Sequence, residues 1–323
     1  SLFKDLQALV RLTRILRNLE PDIVHTHTPK AGLLGMLAAR LAKVPVRMHT
    51  IAGLPWMETK GLQRVILKQM ERLTAACAHF IYPNSKGLYA FLKKEGFGTD
   101  GKMKMLGHGS SNGIDCTHFS RVAIDDTQIN SLYQQSALKK GGWVWIFAGR
   151  LVKDKGIHEL LFAFNHLYEL FPDDQLWLLG EEEPALDPLD QWARELMHSH
   201  SNIFHWGFQK DVRPFFAAAE VLVFPSYREG MPNVPMQAGA MGCAMILSNI
   251  NGCNELITDG EDGFLVEPKN KEQLFQKMLT LRNNAALRQS FAQKTRHTIA
   301  ERYDRAAVWQ LIEQEYRHLL KQV

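Results

Sequence analysis

Glu229 and Gly230 sit in the run Ser226-Tyr-Arg-Glu-Gly-Met-Pro-Asn-Val-Pro-Met-Gln-Ala-Gly-Ala-Met-Gly242, between an apolar stretch and the start of a helical pattern. Glycine at 230 lets the backbone come close to a ligand. Met231, Pro232, Asn233 and Val234 follow as the helix opens, and Pro235 suits its first turn. A helix start offers unpaired N–H groups and the positive end of a dipole, which together hold a phosphate. Glu229, just before the turn, can accept hydrogen bonds from sugar hydroxyls. Gln237, one turn inside on the inward side, can reach a ribose.

A second run, Phe147-Ala-Gly-Arg-Leu-Val-Lys-Asp-Lys-Gly156, also leaves a strand and enters a helix. After Gly149, Arg150 can fork two phosphate oxygens, and Lys155 acts as a point charge. Two cations at a strand end suit a leaving diphosphate, whose charge grows as its bond to a sugar breaks. Alone, this run reads equally well as a solvated turn. The first run, some 80 residues later, favours the phosphate reading.

Other candidates divide between function and packing. His25 and His27 lie two apart on one strand face, but no third ligand is evident. They read as histidines lining a cleft or packed within it, and no metal is expected. Cys77, Cys116, Cys243 and Cys253 have no metal-type spacing and read as reduced, buried thiols. Lys60, Arg64, Lys68 and Arg72 recur every four residues, a cationic stripe on a helix. Leu62, Val65, Ile66, Met70 and Leu73 form its opposing apolar face. The stripe is expected either to meet anionic lipid heads or a lipid diphosphate, or to be a solvated face.

These residues need a scaffold of strands and crossover helices. Asp22–Thr26, Val46–Ile51, His79–Tyr82 and Met103–Leu106 read as strands, after a first helix over Ser1–Leu19 and with a second over Ala31–Lys43. A polar stretch at Arg121–Gly142 reads as an interdomain connection. Beyond it, Trp143–Ala148, Gln175–Leu179, Glu220–Phe224, Ala244–Ser248 and Gly263–Glu267 read as buried strands. Helices over Ile157–Leu170, Asp211–Ala219, Val234–Met241 and Lys271–Leu281 separate them. Near-continuous apolar strands with helical crossovers predict parallel sheets covered on both faces. The expected fold is therefore α/β, two doubly wound Rossmann-like domains facing a cleft, with ligands beyond the carboxyl ends of the strands. The expected division is 1–138, 139–302 and a terminal helix over 303–323. The first domain is expected to be incomplete at its N-terminus, lacking roughly two βα units.

The chain has 323 residues, 46% of them hydrophobic, enough for two packed domains. No run approaches the ~18 apolar residues of a membrane span. Residues 1–120 carry 17 Lys and Arg against 8 Asp and Glu, and the remainder carries 21 against 26. A basic first part should meet something anionic. Nucleic acid is not expected, because no recognisable module interleaves exposed aromatics with the basic residues.

The two runs resemble the retaining GT-B glycosyltransferases of the large group-1 class, family 4. That class shows a G-R-L-x-x-x-K-G run and an E-G-x-P-x-x-x-x-E motif, matched at Gly149–Gly156 and Glu229–Gln237. Further likeness lies in Gly109-Ser-Ser-Asn-Gly-Ile-Asp115, which contains Asn112, and in the runs 22–32, 178–189 and 252–260. The resemblance covers nearly all of the chain from residue 20 on. It implies that Arg150 and Lys155 bind the donor diphosphate and that Glu229 holds the donor sugar. Amides of Gly230 to Val234 would cradle the phosphates, and His205-Trp-Gly-Phe-Gln209, with Gly207 and Phe208, would line the base pocket. His25, His49 and Asn112 would face the acceptor. No cofactor is implied beyond the nucleotide-diphosphate sugar itself, expected to be a uridine one. The acceptor would be a glycan on a polyprenyl-diphosphate carrier, at the cytoplasmic face of a bacterial membrane. The terminal helix would cross back onto the first domain.

Three departures from the family pattern matter. The second glutamate of the motif is Gln237, which keeps hydrogen bonding but loses charge. The family's T-x-H-G histidine position is Ala52, with His49 nearby on the strand. The Gly-rich front loop is not in the sequence. Two other readings follow from these departures. A sugar-nucleotide epimerase or hydrolase would need a carboxylate pair or histidine in the first domain. A non-catalytic protein binding sugar nucleotide or membrane would need neither.

Overall fold

The computed structural model describes residues 2–57, 59–98, 101–185 and 187–322. Ser1 and the side chain of Leu2, from the expected first helix, lie outside the described residues, as does Leu186 of the run 178–189. The chain forms two compact units, Ser1–Gly113 with Arg305–Val323, and Ile114–Asp304.

The first unit begins with α1 (Leu2–Leu19), β1 (Ile23–Thr26), α2 (Pro29–Leu41), β2 (Val46–Ile51), α3 (Gly61–Cys77), β3 (Phe80–Pro83) and α4 (Lys86–Lys94). The strands pair in parallel in the order β1-β2-β3, with Ile23 opposite Val46 and Met48 opposite Phe80. Alternation along the strands gives the sheet two apolar faces. Ile51 and Ile81 pack with Met36, Ala75 and Leu88 from the helices. Val46, Met48 and Tyr82 pack instead with Leu319.

The second unit comprises α5 (Asp126–Gln135), β4 (Val144–Ala148), α6 (Ile157–Leu170), β5 (Gln175–Leu179), α7 (Gln191–Ser199), β6 (Ile203–Gly207), α8 (Arg213–Ala218), β7 (Val221–Phe224), α9 (Asn233–Met241), β8 (Ala244–Ser248), β9 (Phe264–Val266), α10 (Lys271–Asn283) and α11 (Ala285–Tyr303). Its sheet is parallel in the order β6-β5-β4-β7-β8-β9. Every residue of β4, β5, β7 and β8 is buried, as their unbroken apolar character requires when helices cover both faces. From β4 the chain builds outward to β6, then returns to lay β7 on the other side of β4. The chain closes with α12 (Arg305–Leu320), which belongs to the first unit and supplies the Leu319 that covers one face of its sheet.

Two expectations from the sequence change. Met103–Leu106 is not a strand. Met103 makes a single bridge to Ile81, held by the Ile81 amide on Lys102 and the Lys104 amide on Ile81. The polar stretch Arg121–Gly142 is not a bare connection, because it contains α5. Asp125 caps that helix by accepting from the Thr127 amide, Ile129 and Leu132 are buried, and the Tyr133 hydroxyl donates to the Ala218 carbonyl at 2.8 Å. A mostly polar helix with one short apolar edge escapes a periodicity search. The units therefore divide after Gly113 rather than near residue 138, and the Ile114 amide is already bonded to the Tyr303 carbonyl at 2.7 Å.

Candidate functional site

The strand order of the second unit reverses at the β4–β7 pair. A crevice opens at such a switch point because the loops leaving adjacent carboxyl ends run to opposite sides. The loop after β4 is a short 3-10 turn, Lys153–Lys155, that ends at Gly156 with φ +71°. A Cβ at Gly156 would collide with the Pro225 carbonyl, so only glycine lets this loop lie against the one after β7. The Tyr227 amide donates to the Asp154 carbonyl at 2.8 Å, and Arg228 pairs with Asp154 at 2.6 Å across the same seam.

This contact brings Lys155 and Glu229 together. Lys155 Nζ donates to Glu229 Oε1 at 2.6 Å, with both side chains about 15% exposed (14% and 15%). The loop after β8 braces the backbone that carries Glu229. Asn251 Nδ2 donates to the carbonyls of Glu229 at 3.2 Å and Gly230 at 3.0 Å. Cys253, fully buried nearby, has its thiol pushed well above the usual range, first by burial and then by the Glu229 charge, so it stays an inert thiol.

α9 then starts at Asn233 with Pro232 in the N-cap position, and no side chain caps it. The amides of Asn233 and Val234 in its first turn thus have no side-chain acceptor from the N-cap. Gln237 is partly buried one turn further on. Arg150, directly after Gly149, is half-exposed and pairs with Glu183 at 2.9 Å, so its guanidinium is engaged by the loop after β5. Gly207 and Phe208 lie at the end of β6, where Phe208 is 75% exposed. The expected base, phosphate and sugar residues therefore follow one another along one edge of the sheet, across β6, β4 and β7. Asn251 and Glu183 were not among the expected residues. The Asn251-Gly252 turn dipeptide directly beyond a buried strand is the sequence signal that marks the first; nothing local marks the second.

In the first unit, His25 lines a small hollow with Thr50, Asn84, Ser110 and Ile312. Its Nδ1 is 2.7 Å from the Tyr316 hydroxyl and its Nε2 2.7 Å from Thr50 Oγ1. Burial, then the neighbouring His27 and His49, lowers its pKa to about 3, so the ring is neutral at ordinary pH. Asn112 is exposed in a turn held by Ser110 Oγ, which accepts from the amides of Asn112 and Gly113.

His49 does not line a surface. It is 1% exposed, with Nδ1 2.7 Å from Thr26 Oγ1 and Nε2 3.4 Å from the buried Glu71. Gly32 of α2 lies so close to its ring that a Cβ there would overlap it. The strand's alternation turns His49 into the helix layer.

Part of the cationic stripe on α3 finds partners on the protein itself, while Lys60 and Arg72 remain exposed. Lys68 and Arg64 both pair with Glu95 and stand 5.5 and 5.8 Å from the Trp56 ring. Arg72 lies 5.8 Å from the Phe97 ring and reaches the Glu95 carbonyl, while Lys60 is the N-cap. One carboxylate and two aromatic faces hold the cations. The apolar residues of α3 take the outside instead, with Leu62 75% and Val65 53% exposed, followed by Ile66, Met70 and Leu73. Beside them, Leu6, Leu9, Leu33, Leu34, Trp56 and Leu67 line a groove of about 650 Å³ between α1, α2 and α3.

Two α/β units built on parallel sheets, the second with its strand order reversing between β4 and β7, are the architecture of a GT-B glycosyltransferase. The chain belongs to the family described as Glycosyl transferases group 1, whose model matches residues 128–298, and a Glycosyl transferase 4-like domain matches residues 1–104. It is 30% identical over its whole length to the capsular polysaccharide biosynthesis glycosyltransferase CapM of Staphylococcus aureus, covering 83% of that protein. It is 31% identical over 83% of its length to the UDP-Gal:alpha-D-GlcNAc-diphosphoundecaprenol alpha-1,3-galactosyltransferase of Escherichia coli, covering 68% of it. Among solved structures, Anabaena HepE in complex with UDP superposes with a TM-score of 0.82 at 19% identity, over 96% of this chain and 82% of that one. Among the described residues, no helix is long and apolar enough to cross a membrane.

Proposed function

We propose that this glycosyltransferase moves a sugar from a uridine-diphosphate sugar to a growing glycan on a polyprenyl-diphosphate carrier, with retention of anomeric configuration. The observation that carries the reading is the Lys155–Glu229 contact at the sheet's switch point. Lys155, Arg150 and the amides of Gly230 to Val234 would receive the diphosphate, whose charge grows as the bond to the sugar breaks. Glu229 would hold the sugar hydroxyls, Gln237 the ribose, and Gly149 the close backbone approach. Gly207 and Phe208 would meet the base. The acceptor oxygen bonds to the anomeric carbon as the bond from that carbon to the diphosphate breaks on the same face, and its proton passes to the departing diphosphate oxygen. UDP in HepE and the diphosphoundecaprenol-linked acceptor in the name of the E. coli relative support the choice of donor and carrier. His25 and Asn112 are the candidates for the acceptor side.

Membrane contact, in this reading, moves from the cations of α3 to its exposed apolar face, with Lys60 and Arg64 at the flank. Release of UDP from UDP-sugars in the presence of lipid-linked acceptor tests the whole proposal. Wild-type chain should show acceptor-dependent release, and Glu229→Ala should cut it by about 10²–10³-fold. Equal release by both would refute the assignment.

A further inference from the structure

β6 does not run straight to its end. Its pairing with β5 passes from Leu178–His205 to Leu179–Gly207, so Trp206 is an extra residue in the ladder. Such a bulge bends a strand and re-aims the residues after it. Gly207, at φ +65°, continues the bend, and the ring of Phe208 emerges into solvent.

The loop after β5 holds this bend at three points. The Gly180 amide donates to the Gly207 carbonyl at 2.8 Å, and the His205 ring nitrogen Nε2 is 2.8 Å from the Gly180 carbonyl. Glu181 Oε1 then accepts from the Phe208 amide at 2.9 Å. The same oxygen lies 3.3 Å from the place a Cβ on residue 207 would occupy. An exposed carboxylate spent on one backbone amide contributes little to the core. Its effect is to fix the direction in which an aromatic ring leaves the carboxyl edge of the sheet, where that ring offers a flat stacking face.

We propose that Glu181 is a positioning residue for nucleobase recognition, acting through the Phe208 amide to set the ring and the Gly207 backbone against the base. The inference rests on the reading of the second unit as the nucleotide-sugar site. Calorimetric titration of the full chain with UDP and with inorganic pyrophosphate tests it, because pyrophosphate has no base. Glu181→Ala should weaken UDP about tenfold and leave pyrophosphate within about twofold. Glu181→Gln, whose amide oxygen can still accept, should stay within about threefold of wild type for both. Phe208→Ala should reproduce the Glu181→Ala pattern.

UDP binding unchanged in Glu181→Ala would overturn the inference. So would UDP and pyrophosphate weakening together, which would mark a general loss of structure or charge. Wild-type chain that binds no UDP would overturn the nucleotide reading and this inference with it. If wild type binds UDP and Arg150→Ala weakens both ligands, the nucleotide reading stands and the Glu181 variants alone decide.

Discussion

The two units handle polar side chains inside an α/β sandwich in opposite ways. In the second, the central strands β4 and β7 are apolar from end to end, and the groups proposed for chemistry lie in the loops at the carboxyl ends, where Lys155, Glu229 and Asn251 meet. In the first, polar groups enter the layers themselves: His49 and Glu71 lie between strand and helix, and Thr50 and His25 join Tyr316. Where central strands are apolar throughout, polar side chains at their carboxyl ends fall in the connecting loops, and motif spacing can point to them. A sheet that keeps histidines inside gives the same residue types a structural use, and spacing alone cannot separate the two.

That contrast can be broken by substitution. The largest effect is expected at Glu229→Ala, a loss of about 10²–10³-fold in kcat/KM with the melting temperature nearly kept, measured by steady-state kinetics and thermal melting. In the first unit His49→Ala should do the reverse. It leaves Glu71 buried without its partner, costing about 3 kcal/mol of stability in denaturant titration, while affinity for UDP stays within about twofold. If His49→Ala lost UDP binding in chain that remained folded, the division of labour between the units would be wrong.

Glu220 sharpens the comparison from the opposite edge of the second sheet. Its carboxylate accepts from the Val144 amide at 2.7 Å, and burial raises its pKa to about 7, above the ordinary 4.5 of a glutamate. The folded state therefore keeps a proton that the unfolded state loses near pH 4.5. The stability this proton brings is full below pH 4.5, declines as pH rises to 7, and is gone above it. Glu220→Gln should flatten that decline and raise stability at pH 8 by on the order of 2 kcal/mol, as read from melting curves at pH 5 and 8. A variant with the wild-type pH slope would remove Glu220 as the cause. The smallest effect belongs to α3: changing Leu62 and Val65 to Asp should abolish flotation with anionic vesicles, if the exposed face meets lipid, yet move stability by only about 0.5 kcal/mol.

Much of the second unit was legible in the sequence because continuous apolar runs such as Val144–Ala148 and Ala244–Ser248 admit few alternatives to a buried strand. The loops after β4 and β7 were legible for the same reason, being what lies between such runs. β6 was not read as a strand, since His205 and Trp206 interrupt its apolar character. α3 misled most. Its cations read as one stripe meeting lipid or solvent, yet Arg64 and Lys68 meet Glu95 and Trp56 on the protein side and Arg72 the Phe97 ring, while the apolar residues are exposed. Those partners lie elsewhere in the sequence, beyond the reach of a helical period. Glu95 also follows two lysines, which makes it look like ordinary surface.

The short link between Lys155 and Glu229 sets an ammonium directly against a carboxylate. On the proposed reading, a diphosphate competes for the ammonium, and the carboxylate it abandons must turn to hydroxyls. An intact donor offers both at once, whereas UDP alone takes the cation and leaves an orphaned anion behind. Spent nucleotide should therefore be held less firmly than the fresh donor, giving each turnover a built-in exit.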